Sequence, residues 1–177
     1  MQLVKTLTKC ERPERDTYYM NIALVVATRS TCRKYKVGCV CVSADDNIIS
    51  TGYNGSARQS EHCTDRWTGD EEGFSEDHRP YADMYEIHAE MNTMLRARES
   101  AERSTLYVLL APCHNCAKMI VQAGVSRVVY LVEKYIESIE YMRENGIICD
   151  LLDNAGELVL LKACIGSENT TVDHPTQ

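Results

Sequence analysis

The feature that most constrains this chain is a pair of short motifs, rich in metal-binding side chains, at the starts of two successive predicted helices. "IHAEMN" carries His88 and Glu90, and "APCHNCAKMI" carries Cys113 and Cys116. One apolar segment, 105–111, lies between the two helices and predicts a strand. Helices joined through one strand lie side by side, so we expect their N-termini to face one point at the edge of a sheet.

The spacing within each motif indicates where such a site would lie. Residues two apart on a helix point about 200° from each other, because a turn takes about 3.6 residues. His88 and Glu90 therefore serve one site only if it lies beyond the first turn of their helix. Cys113 and Cys116 are three apart and share a face, and Pro112 before them suits the start of a helix. The N–H groups at a helix N-terminus stabilise thiolates.

These side chains are typical of a catalytic zinc site. The imidazole of His88 and the thiolates of Cys113 and Cys116 neutralise Zn²⁺ and leave its fourth position to water, whose pKa falls to about 7. Glu90 is then a proton shuttle and not a ligand. Two other interpretations stay open, a redox dithiol and a closed structural zinc with His114 or another cysteine as its fourth ligand.

Length and charge limit the domain count and the partners. The 177 residues, 44% of them hydrophobic, predict one domain that spans 1–177. A net charge of -7 argues against a nucleic-acid partner, which requires a basic surface. No segment approaches the ~18 apolar residues of a membrane span, so we expect no membrane contact. The charged N-terminus does not resemble a secretory signal.

Nine cysteines without an export signal indicate a reducing compartment. Some of them suit metal binding, and others lie in apolar runs where a thiol acts as a small hydrophobic side chain. The cysteines that we predict to be packing residues are Cys39, Cys41, Cys149 and Cys164.

The apolar periodicity predicts alternating strands and helices. The predicted helices are 16–30, with Asp16 as its N-cap, and 87–99, 113–123 and 136–145. The predicted strands are 37–43, 48–53, 105–111, 127–132 and 147–152, with 157–162 as a further strand or a continuation of the last. This order indicates an α/β fold of three α-β-α layers, with a mixed five-stranded sheet and helices on both faces. We expect 54–85 to be a long loop insertion and 166–177 to be a flexible tail.

Three segments resemble the deoxycytidylate (dCMP) deaminase family of the zinc-dependent cytidine deaminase superfamily, particularly its phage members. They are "KVGCVCVSADDNIISTGYNGSARQSEHCTD", "EIHAEMNTML" and "TLYVLLAPCHNCAKMIVQAGVSRVVY", and the likeness covers most of 17–152. His-x-Glu followed by Pro-Cys-x-x-Cys belongs to the whole superfamily. The segment "TGYNGS" narrows the resemblance to the dCMP deaminase family. The resemblance implies a cytidine deaminase-like fold and hydrolysis of dCMP to dUMP, which supplies thymidylate synthesis. It also implies a homo-oligomer, commonly a hexamer, activated by dCTP and inhibited by dTTP with Mg²⁺.

The resemblance also implies roles for single residues. Asn54 would contact the deoxyribose, Tyr130 the sugar and phosphate, and Lys34 the phosphate, with Lys36 as a neighbouring candidate. The backbone at Ala89 and Ala111 would contact the base. The allosteric nucleotide site would involve Gly52, Tyr53 and Gly55, although turn geometry alone also explains a glycine such as Gly52.

A second, structural zinc is implied by the same resemblance. Its ligands would be Cys32, Cys63, His78 and Glu86. Two thiolates, an imidazole and a carboxylate close a tetrahedral zinc site. His62 is a competing ligand, and Glu86 also suits an ordinary acidic position at a helix start.

Other functions share part of this pattern. A deaminase of cytidine or dCTP would use the same motifs, as would enzymes of tRNA adenosine or of the riboflavin pathway. A non-catalytic zinc-binding regulator would not need Glu90. The resemblance and the cysteine content together predict a cytoplasmic protein, in the host cytoplasm if a phage encodes it.

Overall fold

The computed structural model describes residues 12–68 and 74–153. Its helices are α1 (Arg15–Ala27), α2 (Cys63–Arg66), α3 (Phe74–Tyr85), α4 (Ala89–Ala97), α5 (His114–Gln122) and α6 (Ile136–Glu144), and a 3₁₀ turn spans Arg98–Ala101. Its strands are β1 (Gly38–Val42), β2 (Ile48–Tyr53), β3 (Gly55–Ser56), β4 (Glu86–Ile87), β5 (Thr105–Leu110), β6 (Arg127–Val132) and β7 (Ile148–Leu151). The predicted strand 157–162, the tail 166–177 and Cys164 lie outside the described residues.

Five strands form one mixed sheet in the order β2-β1-β5-β6-β7, which confirms the predicted sheet. β1 runs antiparallel to β2 and β5, and β5, β6 and β7 run parallel to one another. The parallel strands are linked through helices, as parallel connections require. Their carboxyl ends therefore lie at one edge of the sheet, where α5 begins.

Helices cover both faces of the sheet. Successive strand residues point to opposite faces, so β1 sends Cys39 and Cys41 to one side and Val40 and Val42 to the other. The first side packs against α4, α5 and α6, and the second packs against α1. Cys39, Cys41 and Cys149 are buried in the first core, as predicted for packing residues.

The start of α1 differs from the prediction. Glu14, and not Asp16, is the N-cap. Asp16 lies in the first turn, where its two carboxylate oxygens accept hydrogen bonds of 2.8 and 2.7 Å from the guanidinium of Arg127 on β6. The Asp16 side chain therefore forms an ion pair with a distant strand instead of capping the helix, as the sequence pattern had predicted. At the other end of a helix, Gly124 has φ +71 and follows α5, as predicted for a glycine that ends a helix.

The prediction that 54–85 is a structureless loop is wrong. β3 pairs with β4 in a two-stranded sheet, and α2 and α3 lie between these two strands. Trp67 and Tyr81 pack edge to face at 4.9 Å, beside the buried Cys32 and Cys63. Aromatic and cysteine side chains fill this small core, so the segment lacks the aliphatic period that reveals an ordinary amphipathic helix.

Within the part of the chain that the structure describes, every helix is too short or too polar to cross a membrane.

Candidate active site

Three donor side chains converge at the starts of α4 and α5. His88 is the N-cap of α4, Cys113 is the N-cap of α5, and Cys116 lies in the first turn of α5. His88 Nδ1 lies 3.3 Å from Cys113 Sγ and 3.5 Å from Cys116 Sγ. Tetrahedral zinc holds its ligand atoms about 3.6 Å apart, given Zn–S and Zn–N bonds of about 2.3 and 2.1 Å. The arrangement confirms that the two motifs share one site, and its donors fit zinc.

The electrostatics of this group also fit a cation. Hydrogen bonds from Cys116 and His88 lower the pKa of the Cys113 thiol to about 3. The hydrogen bond with Cys113 raises the pKa of His88 to about 9, and the same thiolate raises the pKa of Cys116. Two adjacent thiolates repel each other unless a positive charge lies between them. A divalent ion bound by all three residues supplies that charge and lets Cys116 ionise.

Glu90 lies beside this group without belonging to it. Among the described residues, the donor atoms that lie within 4.8 Å of one another here come from His88, Cys113 and Cys116. The Glu90 side chain follows His88 by two positions in α4 and is 4% exposed. Burial raises the pKa of its carboxyl group. A buried carboxyl group with a raised pKa, next to a metal-bound water, is suited to proton transfer.

A cavity of about 640 Å³ opens over the metal ligands. Ala89, Ala111, Asn54 and Lys34 line it, so these four predicted substrate residues are brought together. Asn54 also orders the cavity wall, because its side-chain amide donates to the Tyr35 carbonyl at 2.8 Å. Its side-chain oxygen accepts hydrogen bonds from the Val37 N–H and the Ser30 hydroxyl, at 2.9 and 2.7 Å.

Two predicted substrate residues do not reach the cavity. Tyr130 is 1% exposed and packs in the main core with Ile139 and Met142 of α6, because its position on β6 points it away from the cavity. Lys36 donates from Nζ to the Ser30 carbonyl at 3.1 Å and lies outside the cavity wall. The geometry of the cavity therefore gives no support to the substrate contacts predicted for Tyr130 and Lys36.

The cavity wall also contains residues that sequence reasoning missed, among them Tyr35, Arg79, Asp83, Lys134 and Tyr135. Lys134 and Tyr135 follow the carboxyl end of β6. Ligands in α/β folds bind beyond the carboxyl ends of parallel strands, so that position was the signal that could have found them. Arg79 and Asp83 lie on α3, which the sequence pattern did not predict.

A second group of donor atoms lies beside the first. The atoms of Cys32, Cys63, His78 and Glu86 lie within 4.8 Å of one another, and Cys32 Sγ is 3.2 Å from His78 Nε2. The Glu86 side chain is 5% exposed, and its Oε1 atom is buried without a hydrogen-bond partner. An orphaned carboxylate oxygen between two thiols and an imidazole is the arrangement that a bound metal satisfies. His62, the competing ligand, lies outside this group and is the N-cap of α2.

The backbone around this second group supports thiolate ligands. The N–H of Arg33 donates to Cys63 Sγ at 3.3 Å, and the N–H of Tyr35 donates to Cys32 Sγ at 3.4 Å. Without a cation, burial raises the pKa of Cys32 to about 12 and raises that of Cys63. A divalent ion would offset the cost of ionising these buried thiols.

Both groups open on the same cavity. Cys32, His78 and Glu86 of the second group line it together with His88 and Cys113 of the first. Only Ile87 separates Glu86 from His88, so β4 connects the two groups directly.

Comparisons with known proteins agree with this geometry. The family model for the cytidine and deoxycytidylate deaminase zinc-binding region matches residues 13–132. The chain is 38% identical over 123 residues to the deoxycytidylate deaminase of Mycobacterium phage D29, covering 67% of this chain and 95% of that protein. It is 36% identical over 148 residues to the deoxycytidylate deaminase of Saccharomyces cerevisiae, covering 81% of this chain but only 46% of the yeast protein.

A solved structure also resembles the fold. The crystal structure of dCMP deaminase from the cyanophage S-TIM5, in complex with dCMP and dUMP, superposes with a TM-score of 0.64 and 27% identity. The superposition covers 81% of this chain and 100% of that one. The family model spans α1 to the end of β6 and includes both metal-binding motifs. This chain therefore belongs to the family defined by the cytidine and deoxycytidylate deaminase zinc-binding region.

Proposed function

We propose that this chain catalyses the zinc-dependent hydrolytic deamination of dCMP to dUMP. The observation that carries the proposal is a buried Glu90 beside the His88, Cys113 and Cys116 group, on the wall of a cavity with cations at its rim. Zinc, when bound by those three residues, supplies a water of lowered pKa. The product would be a substrate for thymidylate synthesis, and the cytoplasm would be the place of the reaction.

Glu90 moves the protons in this proposal. Its carboxylate accepts a proton from the water, and its carboxylic acid donates protons to the cytosine ring nitrogen and to the departing amine. A carbon–oxygen bond forms at C4 of the base, the carbon–nitrogen bond breaks, and ammonia leaves. Burial raises the pKa of Glu90, which makes its carboxylate a better proton acceptor than an exposed carboxylate.

The cavity residues would orient the nucleotide. Backbone groups at Ala89 and Ala111 would contact the base and Asn54 the sugar, and the support for this is that all three residues line the cavity. Lys34 would bind the phosphate. The cations at the rim favour a nucleotide over cytidine, and the buried Glu90 favours an enzyme over a non-catalytic zinc-binding regulator.

Ammonia release from dCMP, deoxycytidine and dCTP by zinc-loaded protein tests the proposal. We expect the highest kcat/KM with dCMP. Zinc-bound protein that releases no ammonia from any of the three would reject an enzymatic role, and a preference for dCTP or deoxycytidine would reject this substrate.

We further propose that dCTP activates and dTTP, with Mg²⁺, inhibits a homohexamer of this chain. Support comes from Gly52 on β2, where a Cβ atom would lie 2.5 Å from the Ala89 oxygen and the Thr93 nitrogen. Gly52 is therefore explained by close packing against α4 and not by turn geometry. A shift of β2 would thus be transmitted to the start of α4, which carries Glu90.

Cations beside Tyr53 suit an anionic effector. The Arg96 guanidinium lies 6.0 Å from the centre of the Tyr53 ring, and Arg96 and Arg98 line a second depression. Gly55 packs against Thr31, where a Cβ atom would lie 2.4 Å from the hydroxyl.

We expect dTTP to raise the KM for dCMP only when Mg²⁺ is present, and we expect sedimentation to show an assembly of six chains. Kinetics that dTTP leaves unchanged would reject this regulation.

A further inference from the structure

Three cationic side chains from three separate segments meet at the rim of the active-site cavity. Lys34 precedes β1, Arg79 lies on α3, and Lys134 follows β6. Three carboxylates, Asp83, Glu86 and Glu90, also line the cavity, so its wall carries equal numbers of cationic and acidic side chains. Glu86 belongs to the second donor group and Glu90 lies beside the first, whereas Lys34 and Lys134 are both neighbours of Tyr35.

Lys134 is held over aromatic rings at this rim. Its Nζ atom lies 5.3 Å from the centre of the Tyr35 ring and 5.1 Å from that of the Tyr135 ring. Lys34 Nζ lies 5.9 Å from the same Tyr35 ring, so both ammonium groups are neighbours of one aromatic side chain. Over the described ranges, no carboxylate forms an ion pair with Lys134. Its charge is therefore available to an anion in the cavity.

The backbone at Tyr135 is unusual for a bulky residue. Tyr135 has φ 60 and ψ 58, the left-handed conformation, which is unfavourable for an L-residue with a bulky side chain. Its side chain is 40% exposed, so burial in the core does not offset this cost. Strain of this kind persists where it positions a functional group. Here the turn between β6 and α6 directs Lys134 and Tyr135 toward the cavity.

We propose that Lys134, oriented by the left-handed turn at Tyr135, binds the 5′-phosphate of the substrate and selects nucleotides over nucleosides. The inference rests on the proposed deamination of dCMP and adds a residue to its specificity. The ammonium group contributes the charge that a phosphate dianion requires. The N-terminus of α6, which begins at Ile136, adds partial positive charge on the same side.

Steady-state kinetics of Lys134→Met in the zinc-loaded enzyme test the role in specificity. We expect the KM for dCMP to rise about 10- to 100-fold, the range for a lost charged hydrogen bond, with kcat nearly unchanged. Turnover of deoxycytidine should stay at the wild-type level, and Lys134→Arg should restore part of the affinity. Lys36→Met is the matched control, since Lys36 lies outside the cavity wall, and it should resemble wild type. An unchanged KM for dCMP in Lys134→Met would overturn the proposal.

Calorimetric titration with dUMP separates this inference from the proposed reaction. Wild-type protein that binds dUMP more tightly than Lys134→Met does would support the phosphate site even if neither protein deaminated dCMP. Equal affinity of the two proteins for dUMP would overturn the inference even if dCMP were deaminated.

Tyr135→Gly distinguishes a positioning role from a structural one. Glycine adopts the left-handed conformation without strain, so we expect an equal or higher Tm together with a higher KM for dCMP. A lower Tm with an unchanged KM would mean that Tyr135 stabilises the fold and does not position Lys134.

Discussion

At the scale of single residues, the active site depends on where each helix begins. His88 has φ -67 and ψ 155 and is the N-cap of α4, so it is not yet helical. The divergence of residues two apart on a helix therefore does not apply to His88 and Glu90. His88, on the last extended residue, and Glu90, in the first turn of the helix, can then reach opposite sides of one water molecule.

Glu90→Gln tests the separation of these two roles. Glutamine keeps the size of the side chain and removes its ability to exchange protons, so kcat should fall by about 10²–10⁴-fold. Metal analysis should show the zinc content of wild type, because Glu90 is not a ligand. His88→Ala is the control that should lose the catalytic zinc. Loss of zinc from Glu90→Gln would identify Glu90 as a ligand instead.

The sequence predicted the donor groups better than the rest of the cavity wall. His88, Cys113 and Cys116 follow from spacing, because few chemistries use those side chains at two successive helix starts. Tyr130 lies in the core, whereas Tyr135, five positions later, lines the cavity. Both are tyrosines close to the carboxyl end of β6, and the sequence alone does not show which of them faces the cavity.

At the scale of elements, α3 is the part that the sequence did not predict. Its inward side chains include His78 and Tyr81, which pack with Trp67 and not with aliphatic residues. Strands β1, β5 and β6 were predicted nearly to the residue, because buried strands are continuous apolar runs. α3 contains Pro80 and few aliphatic residues, and its position depends on contacts with distant segments.

Cys63→Ser tests whether the second donor group binds a metal that holds α3. We expect the zinc content to fall from two ions to one per chain and the Tm to fall, because serine is a poor zinc ligand. The KM for dCMP should rise, since Arg79 and Asp83 of α3 line the cavity. Cys41→Ser is the matched control, a fully buried cysteine outside both donor groups, and it should keep two ions. One ion per chain in the wild type would remove the second site.

At the scale of the whole molecule, one ion-pair network ties α1 to the sheet outside the cavity wall. Arg127 on β6 bonds to Asp16 on α1 and, at 2.7 Å, to Asp150 on β7. The Tyr107 hydroxyl on β5 donates to Asp16 at 2.9 Å. None of these four residues lines the cavity, so the network stabilises the fold without forming part of the site.

Asp16→Asn should destabilise the protein in a pH-dependent way. The hydrogen bonds from Arg127 lower the pKa of the Asp16 carboxyl, so its stabilisation is complete above its unfolded pKa of about 4 and is lost as pH falls through the lower folded value. We expect a loss of about 1–2 kcal/mol in the free energy of unfolding near pH 7, reduced for partial exposure.

Urea unfolding of both proteins over a series of pH values measures this difference. The gap between wild type and Asp16→Asn should be constant above pH 5 and shrink below about pH 4. Asp45→Asn, in the exposed turn between β1 and β2, should show no such gap. A gap that is the same at pH 3 and pH 7 would contradict an ionic role for Asp16.

The cavity shared by the two donor groups has a consequence for the order of assembly. Three of the four side chains in the second group line the same cavity as the catalytic ligands. An ion that enters or leaves through this opening must pass the space that the nucleotide occupies. If both donor groups bind ions that exchange through this opening, a bound nucleotide would trap the ions, and metal exchange would be slowest in an enzyme that is working.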